Sequence, residues 1–268
     1  MAGNTKALRL RIKSVSSTLQ LTKAMELVAS SKIRRANERM FAGRQYKEAL
    51  EGAMDLFWTS RECQDSPFFR SDASLPTRLI VIAGDRGLAG GYNANVFRLA
   101  REFENAEFIP IGKRACDRFG SPFVSSENFD FSQANELSDT LCREFLEGRF
   151  SRLGILYTKY RSVISQEASV CWLLPFESKE DPAAAGTLFE PKAESILYHA
   201  VREYVAGMIA VCVKESFASE VTARRMAMDS AGKNAREMIE ELQLQYNRAR
   251  QGAITQEITE IVAGSGSE

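Results

Sequence analysis

Histidine is nearly absent from this chain: His199 is the single one among 268 residues. That count excludes a multi-histidine metal site and leaves a histidine-based triad only His199, which lies inside the last helical stretch and reads as a structural or surface residue. Net charge is zero, so bulk charge names no partner. The five cysteines (Cys63, Cys116, Cys142, Cys171, Cys212) stand far apart, with no CxxC pair and no metal-ligand spacing. They read as buried or half-buried free thiols of a reducing compartment. Long apolar runs are also missing. The longest, residues 205–213, is interrupted by Gly207 and falls short of the roughly 18 residues of a membrane span. The first residues lack the basic-then-apolar order of a signal peptide. The expectation is a bacterial-type cytoplasmic protein that reaches a membrane only through partners.

Proline is missing from residues 5–58 and again after Pro191. Both stretches are therefore free to be long helices. In the first, Leu8, Ile12, Val15, Leu19, Thr22, Glu26, Ala29, Ile33, Ala36 and Met40 follow alternating steps of four and three, a heptad seam. The seam is strong in its first turns and weakened by Thr22, Glu26 and Ala29, so the stripe is expected to shift toward Met25 and Val28. The last stretch, dominated by Ala, Glu, Gln, Arg and Met, would run to about 100 Å as a helix. Up to Lys47 eleven basic residues face only Glu26 and Glu38, whereas Glu237, Glu240, Glu241, Glu257 and Glu260 mark the C-terminal end. Antiparallel pairing would set the basic stretch beside the acidic one.

Between these helices the period changes. Residues 78–83 form a short apolar run typical of a buried strand, followed by a glycine-rich turn over 84–95. Helices are expected over 96–105, 113–119 and 134–147, and strands over 107–111, 152–157 and 168–174. A loop over 177–190 leads into the last helix. Strands alternating with helices imply an α/β domain with a mainly parallel sheet. The domain boundaries read 1–60 for an N-terminal shaft helix, 61–76 for a linker, 77–190 for the central α/β domain and 191–268 for a C-terminal shaft helix. The two terminal helices are expected to pair only with each other, because an α/β unit covers its own faces.

A strand, glycines and a helix are the setting of a phosphate loop. This turn fails both tests. Position 89 is alanine with no following lysine, and Gly87, Gly90 and Gly91 do not fit Gly-x-Gly-x-x-Gly. The plainer reading is a tight strand-to-helix turn in which glycines permit positive φ. No cofactor is expected.

Three blocks of the sequence resemble the γ subunit of the F-type rotary ATP synthase, bacterial type. The first comprises Leu8-Arg-Leu-Arg-Ile-Lys-Ser-Val15 and Thr22-Lys-Ala-Met-Glu-Leu-Val-Ala-Ser-Ser-Lys32. The second is Ala83-Gly-Asp-Arg-Gly-Leu-Ala-Gly-Gly-Tyr-Asn-Ala-Asn95, where Ala89 and Tyr92 depart mildly from the family's usual residues. The third runs from Ser219-Glu-Val-Thr-Ala-Arg-Arg through Leu242-Gln-Leu-Gln-Tyr-Asn-Arg-Ala-Arg-Gln-Gly-Ala-Ile-Thr-Gln-Glu-Ile-Thr-Glu-Ile-Val-Ala-Gly264. The resemblance implies a long antiparallel coiled coil of the N- and C-terminal helices plus a central Rossmann-like α/β domain that binds no nucleotide. It implies a non-catalytic rotor stalk inside a ring of α and β subunits, seated on ε and the membrane c-ring. Proton flow would turn the stalk and drive ATP synthesis or hydrolysis on β. On this resemblance Lys23, Met25, Arg250, Gln251, Thr255, Gln256 and Glu260 are the expected partner contacts. Ile254, Ile258, Ile261 and Val262 offer an apolar stripe for the partner helix or for the bearing at the top of the ring, with core packing the safer reading. Two other readings compete: a basic helical nucleic-acid-binding protein, and a small α/β enzyme with dimerising helices. Absence of aromatics among the basic residues up to Arg39, with the balanced total charge, speaks against the first, and the failed loop motifs and single histidine against the second.

Overall fold

The computed structural model describes residues 2–177, 189–190 and 192–265; most of the loop expected over 177–190 lies outside them. In chain order come α1 (Ala2–Trp58), α2 (Arg61–Gln64), a 3-10 turn (Pro67–Phe69), β1 (Thr77–Ile82), α3 (Tyr92–Ala100), β2 (Ala106–Ile111), α4 (Lys113–Phe119), α5 (Phe131–Leu146), β3 (Arg152–Tyr160), β4 (Gln166–Leu174) and α6 (Ala193–Ser265). Local sequence sets several of these ends. Asp130 and Gln133 close a capping box at the start of α5, satisfying two orphan N–H groups reciprocally. Gly120 ends α4 in the left-handed region, where glycine carries no Cβ penalty. Two compact units divide the chain: residues 30–224, and residues 1–29 with 225–268.

The larger unit is built on a four-stranded sheet in the order β2-β1-β3-β4. β1 lies parallel to β2 and to β3, and β4 closes one edge antiparallel to β3. The expected mainly parallel sheet is present. Side chains alternate across it. Leu79, Val81 and Ala83 meet Val96 and Ala100 of α3 and Ala115 of α4 on one face. Ile80, Ile82, Ile155 and Tyr157 belong to the larger core on the other.

That larger core corrects the expectation that the terminal helices pair only with each other. Besides α5 it contains Met54, Phe57 and Trp58 of α1 and Leu197, Val201, Val205, Met208, Ile209 and Val213 of α6. The sheet does not cover this face with its own crossover helices alone; the terminal helices complete it. By length and composition α6 could also cross a membrane, although its runs are interrupted; most of its apolar window is buried inside the chain, as in a core helix. Within this unit α1 and α6 run antiparallel and close. Gly43 faces Val211, and a Cβ on Gly207 would lie 2.3 Å from Leu50 Cδ1. Gly207, which breaks the apolar run in the sequence, is what lets the two helices approach. Four thiols are buried and Cys171 is half-buried; burial pushes the Cys142 thiol up to about 12, so it stays protonated and unreactive.

In the smaller unit two helical segments meet as a two-stranded coil. Along its α6 segment Met228, Gly232, Ala235, Ile239, Leu242, Tyr246, Ala249 and Ala253 are buried or half-buried in steps of four and three, with Ala227, Asp229 and Ala231 also half-buried at its start. Gly232 faces Thr22 and Leu19. The α1 seam holds the predicted residues, with one inversion. Thr22 and Ala29 are buried, whereas Leu8, Ile12, Val15 and Leu19 are half-buried. The predicted shift toward Met25 and Val28 occurs only at Met25, which is half-buried; Glu26 also stays at the seam, half-buried, and Val28 is 54% exposed. Thr22 and Ala29 are short enough to be covered completely, and Thr22 Oγ1 donates to the Leu19 carbonyl, so the hydroxyl is satisfied in the seam. Among the described residues no ion pair joins the basic residues 6–23 to the acidic residues of 237–260; these charges face outward.

Candidate functional site

Two places carry function-bearing side chains. The first is the crevice where the crossovers from β1 leave in opposite directions, beyond the C-terminal ends of β1 and β3. Open α/β sheets bind their ligands at this switch point. Here the crevice is filled from within by α6.

The glycine-rich turn forms one wall. Asp85 is its organiser. Its carboxylate accepts from Lys113 N (3.0 Å), Ser125 Oγ (2.7 Å), Ser126 N (2.9 Å) and Glu127 N (3.2 Å). Burial alone would raise this acid, but the hydrogen bonds outweigh it and hold it below the ordinary aspartate value, because they stabilise the charged form. Asn93 Oδ1 accepts from Gly84 N at 2.9 Å and fastens the turn to α3. Positive φ occurs at Gly90, as the turn reading requires, and also at Leu88.

Glu220 of α6 closes the crevice. A Cβ on Gly84 would stand 2.8 Å from Glu220 Oε1, so the glycine makes room for a carboxylate. Glu220 is buried and pairs with Arg224, whose Nη2 also donates to the Gly87 carbonyl. Burial pushes Glu220 up, Arg224 opposes this, and Asp85 and Glu127 add to it. A phosphate entering here would meet two carboxylates. The turn is therefore a socket for the helix and not an anion cradle. Sequence reading missed this. Its signal was present, since Glu215, Ser216, Ser219, Glu220 and Arg224 interrupt the apolar run of α6.

Replacing Asp85 by alanine leaves three backbone N–H groups and a hydroxyl without their acceptor, and is expected to destabilise the larger unit by about 2 kcal/mol. The sign with pH follows from the lowered carboxyl. Its contribution is complete above the unfolded-state value of about 3.9 and disappears as pH falls through the lower folded-state value. Urea unfolding of wild type and D85A at neutral pH and near pH 3 checks this; a gap that does not narrow in acid refutes the assignment.

The second place is the surface of the smaller unit. Lys23 is exposed on α1 and Met25 is half-buried beside the seam. Arg250, Gln251, Thr255, Gln256 and Glu260 are all exposed on the last turns of α6. They bond only along their own helix: Thr255 Oγ1 donates to the Gln251 carbonyl (3.0 Å) and Gln256 Nε2 to Glu260 Oε1 (2.8 Å). The seven predicted contacts thus form two groups. From the pairing of Gly232 with Thr22, they lie roughly 30 Å apart along the coil. Ile254, Ile258, Ile261 and Val262 are 44–66% exposed, which corrects the expectation that they pack in a core. A Cβ on Gly252 would likewise meet nothing within 4 Å.

A profile of the ATP synthase family matches residues 4–267. The chain belongs to that family. Relatives specify the branch. The ATP synthase gamma chain of Ruminococcus albus is 40% identical, with 98% of each chain covered. The sodium-ion-specific ATP synthase gamma chain of Acetobacterium woodii is 38% identical over 99% of each. Among solved structures, a chain of the Euglena gracilis mitochondrial ATP synthase (OSCP/F1/c-ring) matches with a TM-score of 0.69 at 17% identity, covering 100% of this chain and 95% of that one. A chain of the Tetrahymena thermophila central stalk and c-ring matches at 0.62 and 21% identity, over 79% and 99%. The fold is that of the ATP synthase central stalk, and the gamma chain is a non-catalytic part of a membrane-associated complex.

Proposed function

We propose that this chain is the rotating shaft of a bacterial ATP synthase, carried on the cytoplasmic face of the membrane by its complex. Its partners are the α and β subunits around the helices, with ε and the c-ring at the α/β domain. The observation that carries the reading is the exposed end of α6, polar, charged and apolar in turn, on a chain that matches gamma chains over nearly its whole length.

The physical division of labour follows. The shaft must transmit force without being fixed in one orientation, so its contacts are short-lived and mixed in character. Lys23 and its basic neighbours offer cations to acidic loops of β, screened within about 10 Å at physiological salt. Met25 supplies an adaptable apolar contact. Arg250, Gln251, Thr255, Gln256 and Glu260 meet the β loops near the tip. Bond chemistry stays on β, where each site changes conformation as the shaft turns. Sequence relatives include both an unqualified gamma chain and a sodium-specific one, and the residues that select the ion belong to other subunits.

Co-purification with α and β subunits, followed by ATP hydrolysis with and without this chain, tests the proposal. The expected result is a stable assembly with one copy of this chain per three β and activity that depends on it. A chain that remains free of α and β overturns it.

A further inference from the structure

The end of β3 has no strand beside it, yet its backbone is satisfied. Pairing with β1 stops at Val81–Leu156, while pairing with β4 continues through Thr158–Ala168 to Tyr160–Gln166. Along a strand, the backbone groups of alternate residues point to opposite edges. Thr158 and Tyr160 therefore present their N–H and C=O groups to the edge that β1 has left. Side chains replace the missing strand there. Thr158 N donates to Ser216 Oγ (3.2 Å), and Ser219 Oγ donates to Thr158 O (3.0 Å). Tyr160 N donates to Glu215 Oε1 (3.2 Å), and Arg44 Nη2 donates to Tyr160 O (2.6 Å) and to Glu215 Oε1 (2.8 Å). Ser216 also bonds Tyr92 of α3 through the two hydroxyls (2.7 Å). Glu215, Ser216, Ser219 and Thr158 are buried.

We infer that Arg44, Glu215, Ser216 and Ser219 are positioning residues for torque: they form a key that fixes both long helices to the α/β domain against rotation and sliding. The reasoning is mechanical. Apolar packing is non-directional, so a helix held only by Val205, Ile209 and Val213 can turn or slip on the sheet for little energy. Hydrogen bonds to a strand edge have one register and one angle. A one-residue slide or a modest rotation of α6 breaks all of them and leaves buried backbone groups unpaired. Arg44 brings α1 into the same lock, since its guanidinium touches both α6 and β3. The inference rests on the rotor reading above, and the wild-type complex in the same assay tests that reading separately.

The experiment uses the complete complex in inverted vesicles, with the double variant Ser216→Ala/Ser219→Ala, with Arg44→Lys and with the conservative Ser219→Thr. Three quantities are read: assembly and ATP hydrolysis, the largest ion gradient that ATP hydrolysis sustains, and amide exchange at Thr158 and Tyr160. The expected result is hydrolysis retained and a lower sustained gradient in the double variant and in Arg44→Lys. Exchange at the Thr158 amide, which loses its acceptor Ser216 Oγ in the double variant, should accelerate roughly fivefold, and Ser219→Thr should behave as wild type. A wild-type gradient in the double variant overturns the inference. So does joint loss of assembly, hydrolysis and gradient in both the double variant and Arg44→Lys, which assigns the residues to folding.

Discussion

Substituting alanine for Gly112 is expected to cost more than about 4 kcal/mol, a large part of the 5–15 kcal/mol that holds an ordinary domain together. Gly112 joins β2 to α4 with φ +96°, and a Cβ there would stand 1.8 Å from the Ala83 carbonyl oxygen and 2.7 Å from its carbon. Both are backbone atoms and cannot step aside as a flexible side chain can. Gly112 is also fixed on its own account. Its N–H donates to the Val124 carbonyl at 2.8 Å, while Ala83 N donates to the Ile111 carbonyl at 2.9 Å. Relief of the clash must break the end of the β1–β2 ladder or the start of α4. Gly120 supplies the control. Its φ is +69°, but nothing lies within 4 Å of a Cβ there, so Gly120→Ala carries only the left-handed strain of about 1–2 kcal/mol. Urea unfolding of the two variants separates strain from collision. Equal midpoints for both sink the argument, because the close approach would then have been relieved at no cost.

The long helices and the succession of strands and helices along the chain were legible because each rests on a pattern that one sequence carries, whereas the strand order in the sheet was not. Missing proline and steps of four and three give α1 its seam, and apolar runs between turn residues give β1 and β3. Where α6 packs was not legible. From Tyr204 to Thr222 it is buried on nearly every side, and a helix covered all round has no stripe to read. The polar residues in that stretch looked like breaks in an apolar run; in space they hold the end of β3 and the glycine-rich turn. Asp85 was quoted in a motif without a role, because its partners Lys113 and Ser125–Glu127 lie 28–42 residues away in sequence. The outward position of Ile254, Ile258, Ile261 and Val262 could not be read either. Their spacing fits a buried stripe, and the sequence does not say whether that stripe is covered.

Deleting residues 250–268 should therefore separate stability from function. From Arg250 to Val262 every described residue is exposed except the half-buried Ala253. The internal bonds of this end, Thr255 to Gln251, Gln256 to Glu260 and Thr259 to Thr255, are local and disappear with it. The seam still keeps Met228, Ala235 and Leu242 buried. The unfolding midpoint of the chain should move by less than about 2 °C, as expected for loss of contacts worth under 1 kcal/mol. The rotary assembly should respond differently. Four exposed apolar side chains, at about 1.5 kcal/mol or more each when covered, and the polar groups between them are the surface a surrounding ring could grip. Truncation is expected to lower the torque of ATP-driven rotation and the ion gradient sustained per ATP, while the chain still folds and is still incorporated. Undiminished torque in the truncated complex would place the working contacts lower on the shaft, around Lys23 and Met25. A marked loss of chain stability would mean that this end packs within the chain after all.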